Sequence, residues 1–133
     1  MKQGQDWLAL VTLAALALCF ATAWLVGRAR VKYGIKAPAM IGHELFERAY
    51  RVQMNTLENV VIFLPALWLA GWYVGTAAAS VLGAVWLAGR VWYAIAYLRE
   101  PKTRGGGFVL AYVAWGLLML GAAWGVLKSL AGF

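Results

Sequence analysis

Two sets of polar side chains recur at helical spacing inside apolar stretches of this sequence, and their types suit the binding of a small charged molecule. The first set contains Arg51, Asn55 and Glu58. Because residues three or four apart share one face of an α-helix, these three side chains would lie in a row. Gln53 falls about 200° around the helix from Arg51 and would meet a different neighbour.

The second set consists of Trp86, Arg90, Tyr93 and Tyr97, at spacings of four, three and four, and again forms one helical face. An ionisable group at membrane depth costs at least about 2.5 kcal/mol when it is unpaired. Guanidinium groups bind carboxylates through paired hydrogen bonds. Together the two faces predict a pocket for a ligand with carboxylates, an ammonium group and amides. Glutathione has this shape, and so do other anionic peptides and phospholipid head groups.

Two other interpretations of these faces remain open from the residues alone. In one, Glu58 pairs with Arg51 or Arg90 and only holds two helices together, although a buried ion pair is weak evidence for stability. In the other, Glu58 exchanges protons for cationic drugs in a small multidrug transporter. The second interpretation favours a carboxylate with few positive neighbours, and the nearby arginines argue against it.

The elements that must position these residues are membrane helices. The chain has 133 residues, of which 64% are hydrophobic and 13% charged. An ordinary globular domain is about 45–50% apolar and about 25% charged. One membrane span needs roughly 20 apolar residues, so the chain holds about four spans and no separate soluble domain. The single cysteine, Cys19, lies inside an apolar run, which excludes a disulfide scaffold.

We therefore predict an all-α, integral-membrane, antiparallel four-helix bundle that forms one domain over residues 1–133. Pro65 falls inside the second helix and is expected to kink it, which membrane helices tolerate. A basic connection is expected over residues 31–42. A second basic loop is expected over residues 99–107, and its three final glycines indicate mobility. The predicted spans cover residues 7–27, 45–73, 77–98 and 108–127.

The net charge of +7 comes mainly from the two connections on one side of this bundle. The positive-inside rule places both basic connections in the cytoplasm and both termini outside, and the short loops suggest a bacterial inner membrane. We interpret Arg48 as an interfacial anchor and His43 as a helix-start residue. No nucleic-acid partner is expected, because the basic residues alternate with apolar runs. One histidine without a cysteine partner makes a metal site implausible.

The run FERAYRVQMNTLEN, residues 46–59, resembles the signature of the MAPEG family, the membrane-associated proteins of eicosanoid and glutathione metabolism. Its pattern E-R-x-x-R-x-Q-x-N-x-x-E is long and specific. Residues 67–73 and 89–97 resemble the branch that holds microsomal glutathione transferase 2 and leukotriene C4 synthase. The similarity extends over essentially the whole chain, although the fourth span matches only in character.

Members of that branch are homotrimers that bind glutathione between subunits at the cytosolic end. The resemblance implies a glutathione transferase with glutathione as co-substrate and a lipophilic electrophile from the bilayer, and lipid hydroperoxide reduction as a further expectation. It assigns activation of the thiol to Arg104. A free thiol has a pKa near 8.5, and lowering it by two units corresponds to about 2.7 kcal/mol. The glutathione ligands implied by the resemblance are Arg30, Arg51, Gln53, Asn55, Glu58, Arg90, Tyr93 and Tyr97.

Three positions depart from the branch. Asn59 stands where an aromatic residue is frequent, and Pro65 comes about one helical turn later than the usual proline. Val31 replaces the second of two adjacent basic residues that are tied to leukotriene-type specificity, so a general transferase or peroxidase is favoured over a leukotriene synthase. One branch of the family binds lipids without catalysis, and a non-catalytic lipid-binding scaffold is therefore the alternative function.

Overall fold

The computed structural model describes residues 2–132, which form four long α-helices joined by short connections. A short 3₁₀ turn, Pro101–Thr103, precedes the last helix. The described part of the chain contains no strand, and each of the four helices is long and apolar enough to cross a membrane. The predicted all-α membrane bundle is confirmed. The helices are α1 Lys2–Tyr33, α2 Glu44–Tyr73, α3 Thr76–Arg99 and α4 Gly105–Leu130.

Helices α2 and α3 form the middle of the bundle, because each of them packs against α1, against α4 and against the other. The central contact is an aromatic pair in which the rings of Phe63 and Trp86 stack with centroids 3.7 Å apart. Leu8, Leu67 and Leu118 are fully buried around this pair. This apolar layer joins all four helices, and the polar residues of α2 and α3 lie beyond it, towards the start of α2.

The ends of α2 are set by side-chain and backbone bonds that the sequence makes locally. His43 is the N-cap, and its Nδ1 accepts a hydrogen bond from the Leu45 N–H at 3.1 Å, which confirms it as a helix-start residue. Only Val74 and Gly75 separate α2 from α3. Gly75 has a φ of 147°, a conformation that favours glycine, and this tight join makes the two helices antiparallel.

The three glycines after Arg104 belong to α4, so the prediction that they form a mobile loop is wrong. Helix α4 begins at Gly105, and the next two glycines pack against α3. A Cβ atom on Gly107 would lie 2.6 Å from the carbonyl oxygen of Gly89, and a Cβ on Gly106 would meet the Trp92 indole. Small residues let membrane helices approach closely, and here they bring the start of α4 against α3.

Helix α1 is longer than expected and runs to Tyr33, so the first connection begins later than the predicted residue 31. Helix α2 continues through Pro65. In the turn before this proline, the carbonyl of Ile62 accepts a hydrogen bond from Trp115 Nε1 of α4 at 2.9 Å. Through this bond the Trp115 indole of α4 contacts the turn of α2 whose backbone hydrogen bonding is disturbed by the Pro65 ring.

The glycine contact between α3 and α4 predicts that Gly107→Ala destabilises the protein. The added Cβ would press on backbone atoms of α3, and overpacking of this kind costs about 1–3 kcal/mol. We expect a lower midpoint of thermal unfolding in detergent. Gly105→Ala is the matched control, because a Cβ there would meet no atom within 4 Å. Equal midpoints for the two variants would contradict the close-packing interpretation.

Candidate functional site

Arg90 of α3 is the one fully buried charged side chain among the described residues, with 0% of its surface exposed. Its Nη2 donates a hydrogen bond to Asn55 Oδ1 of α2 at 2.7 Å and a longer one to Thr56 Oγ1 at 3.4 Å. Its guanidinium carbon lies 4.3 Å from the centroid of the Tyr93 ring. The other two donor groups, Nε and Nη1, have no hydrogen-bond partner within the described chain. Buried unpaired charge is costly, and because the chain encloses these two groups, no acceptor from outside reaches them in this arrangement.

A cavity of about 470 Å³ opens where α2 begins and α3 ends. Its polar lining includes Arg51 and Tyr97, two of the residues that the sequence predicted as ligand contacts. The rings of Tyr93 and Tyr97 lie 5.7 Å apart, so they connect the Arg90 contact with the cavity. The volume lies within the range of roughly 300–1,000 Å³ that small-molecule sites occupy.

Arg104 lies at the same end, between the 3₁₀ turn and α4. Its guanidinium carbon is 5.8 Å from the centroid of the Tyr97 ring, and its Nη1 donates to the Pro101 carbonyl at 2.8 Å. The side chain is exposed, and one of its donors is already bound to the turn. Arg104 is therefore held near the tyrosines and keeps donors free for a ligand.

Glu58 does not pair with an arginine of its own chain. Among the side chains of residues 4–132 the single ion pair joins Arg48 and Glu44, at 2.6 Å. The Glu58 side chain is exposed, as is that of Arg51, although both lie on the predicted face of α2. The interpretation of Glu58 as half of an internal helix-locking pair is therefore wrong for a single chain.

Of the nine predicted site residues, Arg51 and Tyr97 line this cavity and the other seven do not. Arg30 lies over the Phe46 ring at 4.8 Å and donates to the Ala39 carbonyl at 2.8 Å. Gln53 is half-buried, and neither residue lines the cavity next to Arg51. One chain thus gathers part of the predicted set, on α2, α3 and the start of α4, and leaves the rest on other faces.

Arg48 makes a contact that the sequence did not predict. Its Nη1 donates to the carbonyls of Leu98 and Arg99, at 3.3 and 2.9 Å, in the last turn of α3. These carbonyls lack helical partners at a helix end, and a basic side chain is a favourable cap there. Arg48 therefore ties α2 to the end of α3, just before the turn that carries Arg104.

The sequence reasoning also missed the part played by Asn59. This side chain is 4% exposed, and its Nδ2 donates to the Asn55 carbonyl at 2.8 Å and contacts Asn55 Oδ1 at 3.3 Å. The spacing of four residues already indicated a shared helical face. What the spacing did not indicate is that Asn59 points inward and binds the residue that binds Arg90.

The arrangement suits the binding of a small anion and the stabilisation of a developing negative charge. Arg51, Arg90 and Arg104 lie with two tyrosines around this end of α2 and α3, and no carboxylate of residues 4–132 pairs with these three arginines, although two glutamates also line the cavity. Charge-assisted bonds from guanidinium groups to carboxylates are about twice as strong as neutral ones. Within the described residues no group of three or more His, Cys, Asp or Glu side chains could hold a metal ion.

The fold is that of a four-helix membrane bundle, and arginine and tyrosine side chains cluster at one end of it. The chain belongs to the MAPEG family, whose sequence model matches residues 8–124. The resemblance found in the sequence motifs is confirmed by this match.

Individual relatives agree with the family assignment. The chain is 45% identical to an uncharacterised protein of Synechocystis, over 93% of this chain and 90% of the relative. It is 41% identical to human microsomal glutathione S-transferase 2, over 78% of this chain and 71% of the relative. It is 35% identical to bovine leukotriene C4 synthase, over 96% of this chain and 85% of the relative.

The cap on α3 predicts that Arg48→Ala lowers stability. Losing hydrogen bonds from a charged donor to two helix-end carbonyls is expected to cost about 1–2 kcal/mol, measured as the free energy of unfolding in detergent. Lys36→Ala removes an exposed charge from the first connection and is the matched control. Equal losses in both variants would show that Arg48 acts only through its net charge.

Proposed function

We propose that this protein is a membrane-bound glutathione transferase that joins the glutathione thiolate to lipophilic electrophiles from the bilayer. The observation that carries the proposal is the cavity lined by Arg51 and Tyr97, with the Arg104 guanidinium carbon 5.8 Å from the centroid of the Tyr97 ring. Membership of the MAPEG family and similarity to microsomal glutathione S-transferase 2 support glutathione as the ligand.

Glutathione matches the chemistry around the cavity. It carries two carboxylates, one ammonium group, two peptide bonds and a thiol. Arg51 would bind a carboxylate, because guanidinium groups form paired bonds with carboxylates, and the buried Arg90 would support the site through its bond to Asn55. Glu58 would bind the ammonium group and Asn55 an amide. The hydroxyl groups of Tyr93 and Tyr97 would add further hydrogen bonds.

The transfer step needs the thiolate, because the protonated thiol is a weak nucleophile. Arg104 would stabilise the anion by donating a charge-assisted hydrogen bond to sulfur, and the thiol proton would pass to water. The sulfur electron pair then forms a C–S bond with the electrophilic carbon. A leaving group such as chloride departs with its own bonding pair, or an epoxide oxygen takes up a proton. With a lipid hydroperoxide as acceptor, the thiolate would attack the terminal peroxide oxygen, the O–O bond would break, and the lipid oxygen would take up a proton and leave as an alcohol. The thiol of a second glutathione would then displace water from the resulting glutathione sulfenic acid and form the disulfide.

The site would be completed by a neighbouring copy of the chain. Arg30 and Gln53 lie outside the cavity of their own chain, and a homotrimer would let an adjacent subunit supply them. The basic connections would face the cytoplasm of a bacterial cell, where glutathione is dissolved, while the electrophile reaches the site through the inner membrane. A role in the detoxification of lipophilic compounds follows from this arrangement.

Conjugation of a chlorodinitrobenzene substrate by detergent-purified protein tests the role of Arg104. We expect Arg104→Ala to lower kcat about 10- to 100-fold at pH 7, because less of the bound thiol is ionised. The deficit should shrink at pH 9, since a free thiol with a pKa near 8.5 ionises without help. Lys102→Ala removes an exposed charge from the same turn and should leave kcat unchanged. Wild-type activity of Arg104→Ala at pH 7 would remove Arg104 from the mechanism.

Calorimetric titration with glutathione separates the transferase from a lipid-binding scaffold. The transferase should give saturable heat, whereas a scaffold should give none. Arg51→Ala is expected to raise the Kd at least about tenfold, because a carboxylate would lose a charge-assisted partner. The exposed Arg99 provides the control, and Arg99→Ala should bind like the wild type. Absence of saturable heat in the wild type would refute the proposed function.

A further inference from the structure

The side-chain amide of Asn55 is held by two donors from opposite sides. Arg90 Nη2 approaches its Oδ1 from α3 at 2.7 Å, and Asn59 Nδ2 approaches the same oxygen from the next turn of α2 at 3.3 Å. An amide oxygen has two lone pairs, so these donors use its full capacity. The oxygen of Asn55 must therefore face Arg90, and its NH₂ group must point away from it.

Reversing this amide would bring NH₂ against two other donors. The guanidinium of Arg90 and the NH₂ of Asn59 would then face hydrogen atoms, and buried groups would lose their partners. Each unsatisfied buried polar group carries a desolvation cost, so the observed orientation is strongly preferred. Asn59 adds a second bond, 2.8 Å long, to the Asn55 carbonyl, which fixes its own position.

We propose that Asn59 is a positioning residue for glutathione: together with Arg90 it fixes the side-chain oxygen of Asn55, so that the NH₂ group of Asn55 is presented to the ligand. This inference rests on the proposed function. Asn59 is buried and acts through its neighbour, so it is not assigned a contact with the ligand. The branch that the chain resembles often has an aromatic residue here, and an aromatic ring offers no pair of amide donors. The Asn59–Asn55–Arg90 chain is therefore a feature of this sequence's own residues.

The substitution Asn59→Thr distinguishes a residue that positions Asn55 from one that only supports the helix. Elsewhere in this bundle threonine hydroxyls donate to the carbonyl one turn earlier, as Thr12 does to Leu8 at 2.8 Å and Thr22 to Leu18 at 3.0 Å. In Asn59→Thr the hydroxyl would make the same bond to the Asn55 carbonyl and keep the helix satisfied. It has no second donor for Asn55 Oδ1, so Arg90 alone would hold that oxygen, and the amide would be less firmly fixed while the local structure is kept.

The test is calorimetric titration of the detergent-solubilised full chain with glutathione, together with steady-state conjugation kinetics. We expect Asn59→Thr to raise the Kd for glutathione about five- to twentyfold. The kcat at saturating glutathione should stay within about twofold, because the thiol contact assigned to Arg104 is unchanged. Thr22→Val alters another buried polar residue, on α1 and away from the cavity, and should leave the Kd unchanged.

A double-mutant cycle shows whether Asn59 acts through Asn55. In the Asn55→Ala background, Asn59→Thr should change the Kd by less than about twofold, since the Asn55 side chain through which Asn59 acts is already absent. An equal loss in both backgrounds would overturn the proposal, and so would wild-type affinity of the single variant.

Asn59→Leu, which removes both donors, should weaken binding at least as much as threonine if it folds. If the wild type itself gives no saturable heat, the proposed function fails and the inference fails with it. A binding wild type with an equally binding Asn59→Thr variant refutes the inference alone.

Discussion

A guanidinium group buried among membrane helices constrains the whole polar end of this bundle. Arg90 is fully buried, and a charge at that depth requires partners on every side that the protein can reach. Asn55 and Thr56 of α2 supply acceptors, and the ring of Tyr93 supplies its face. These contacts fix the position of α3 relative to α2. One turn deeper in α3, Trp86 stacks on Phe63, so the polar cluster lies directly against the apolar layer that joins all four helices.

The position of Arg104 depends on the same pair of helices, although Arg104 lies outside both. Glycines at the start of α4 allow its backbone to approach that of α3 near Gly89, which determines where α4 begins. Arg48 binds the last carbonyls of α3 from the α2 side. The short turn between these two fixed ends leaves Arg104 little freedom, and its guanidinium remains near Tyr97. The close packing of the α4 glycines and the cap made by Arg48 therefore determine the position of Arg104, the side chain proposed to stabilise the thiolate.

The spacing of apolar and polar residues along the sequence predicted the features that follow from the α-helical repeat. The four helices followed from apolar runs, and the facing of Asn55 and Arg90 followed from two stripes with the same repeat. Spacing could not predict which atoms a side chain meets on a neighbouring helix, so the cap made by Arg48 was missed. Glycine has two physical uses, flexibility and close approach. The three glycines after Arg104 were predicted to give flexibility, but their main effect is to let α4 approach the surface of α3 closely.

The charged side chains of α2 that have no ion-pair partner within one chain can be explained by a single ligand. Glu58 lies in the middle of α2, exposed and without an ion pair, and Arg51 is exposed on the same face. Carboxylates and guanidinium groups at such positions persist in membranes when they pair or bind something. A ligand with both carboxylates and an ammonium group would satisfy Arg51 and Glu58 together, whereas a plain anion would leave Glu58 unpaired. The mixed charges of the site thus favour a zwitterionic peptide over a simple anion, and the exposed position of two of these groups favours a site that a second subunit closes.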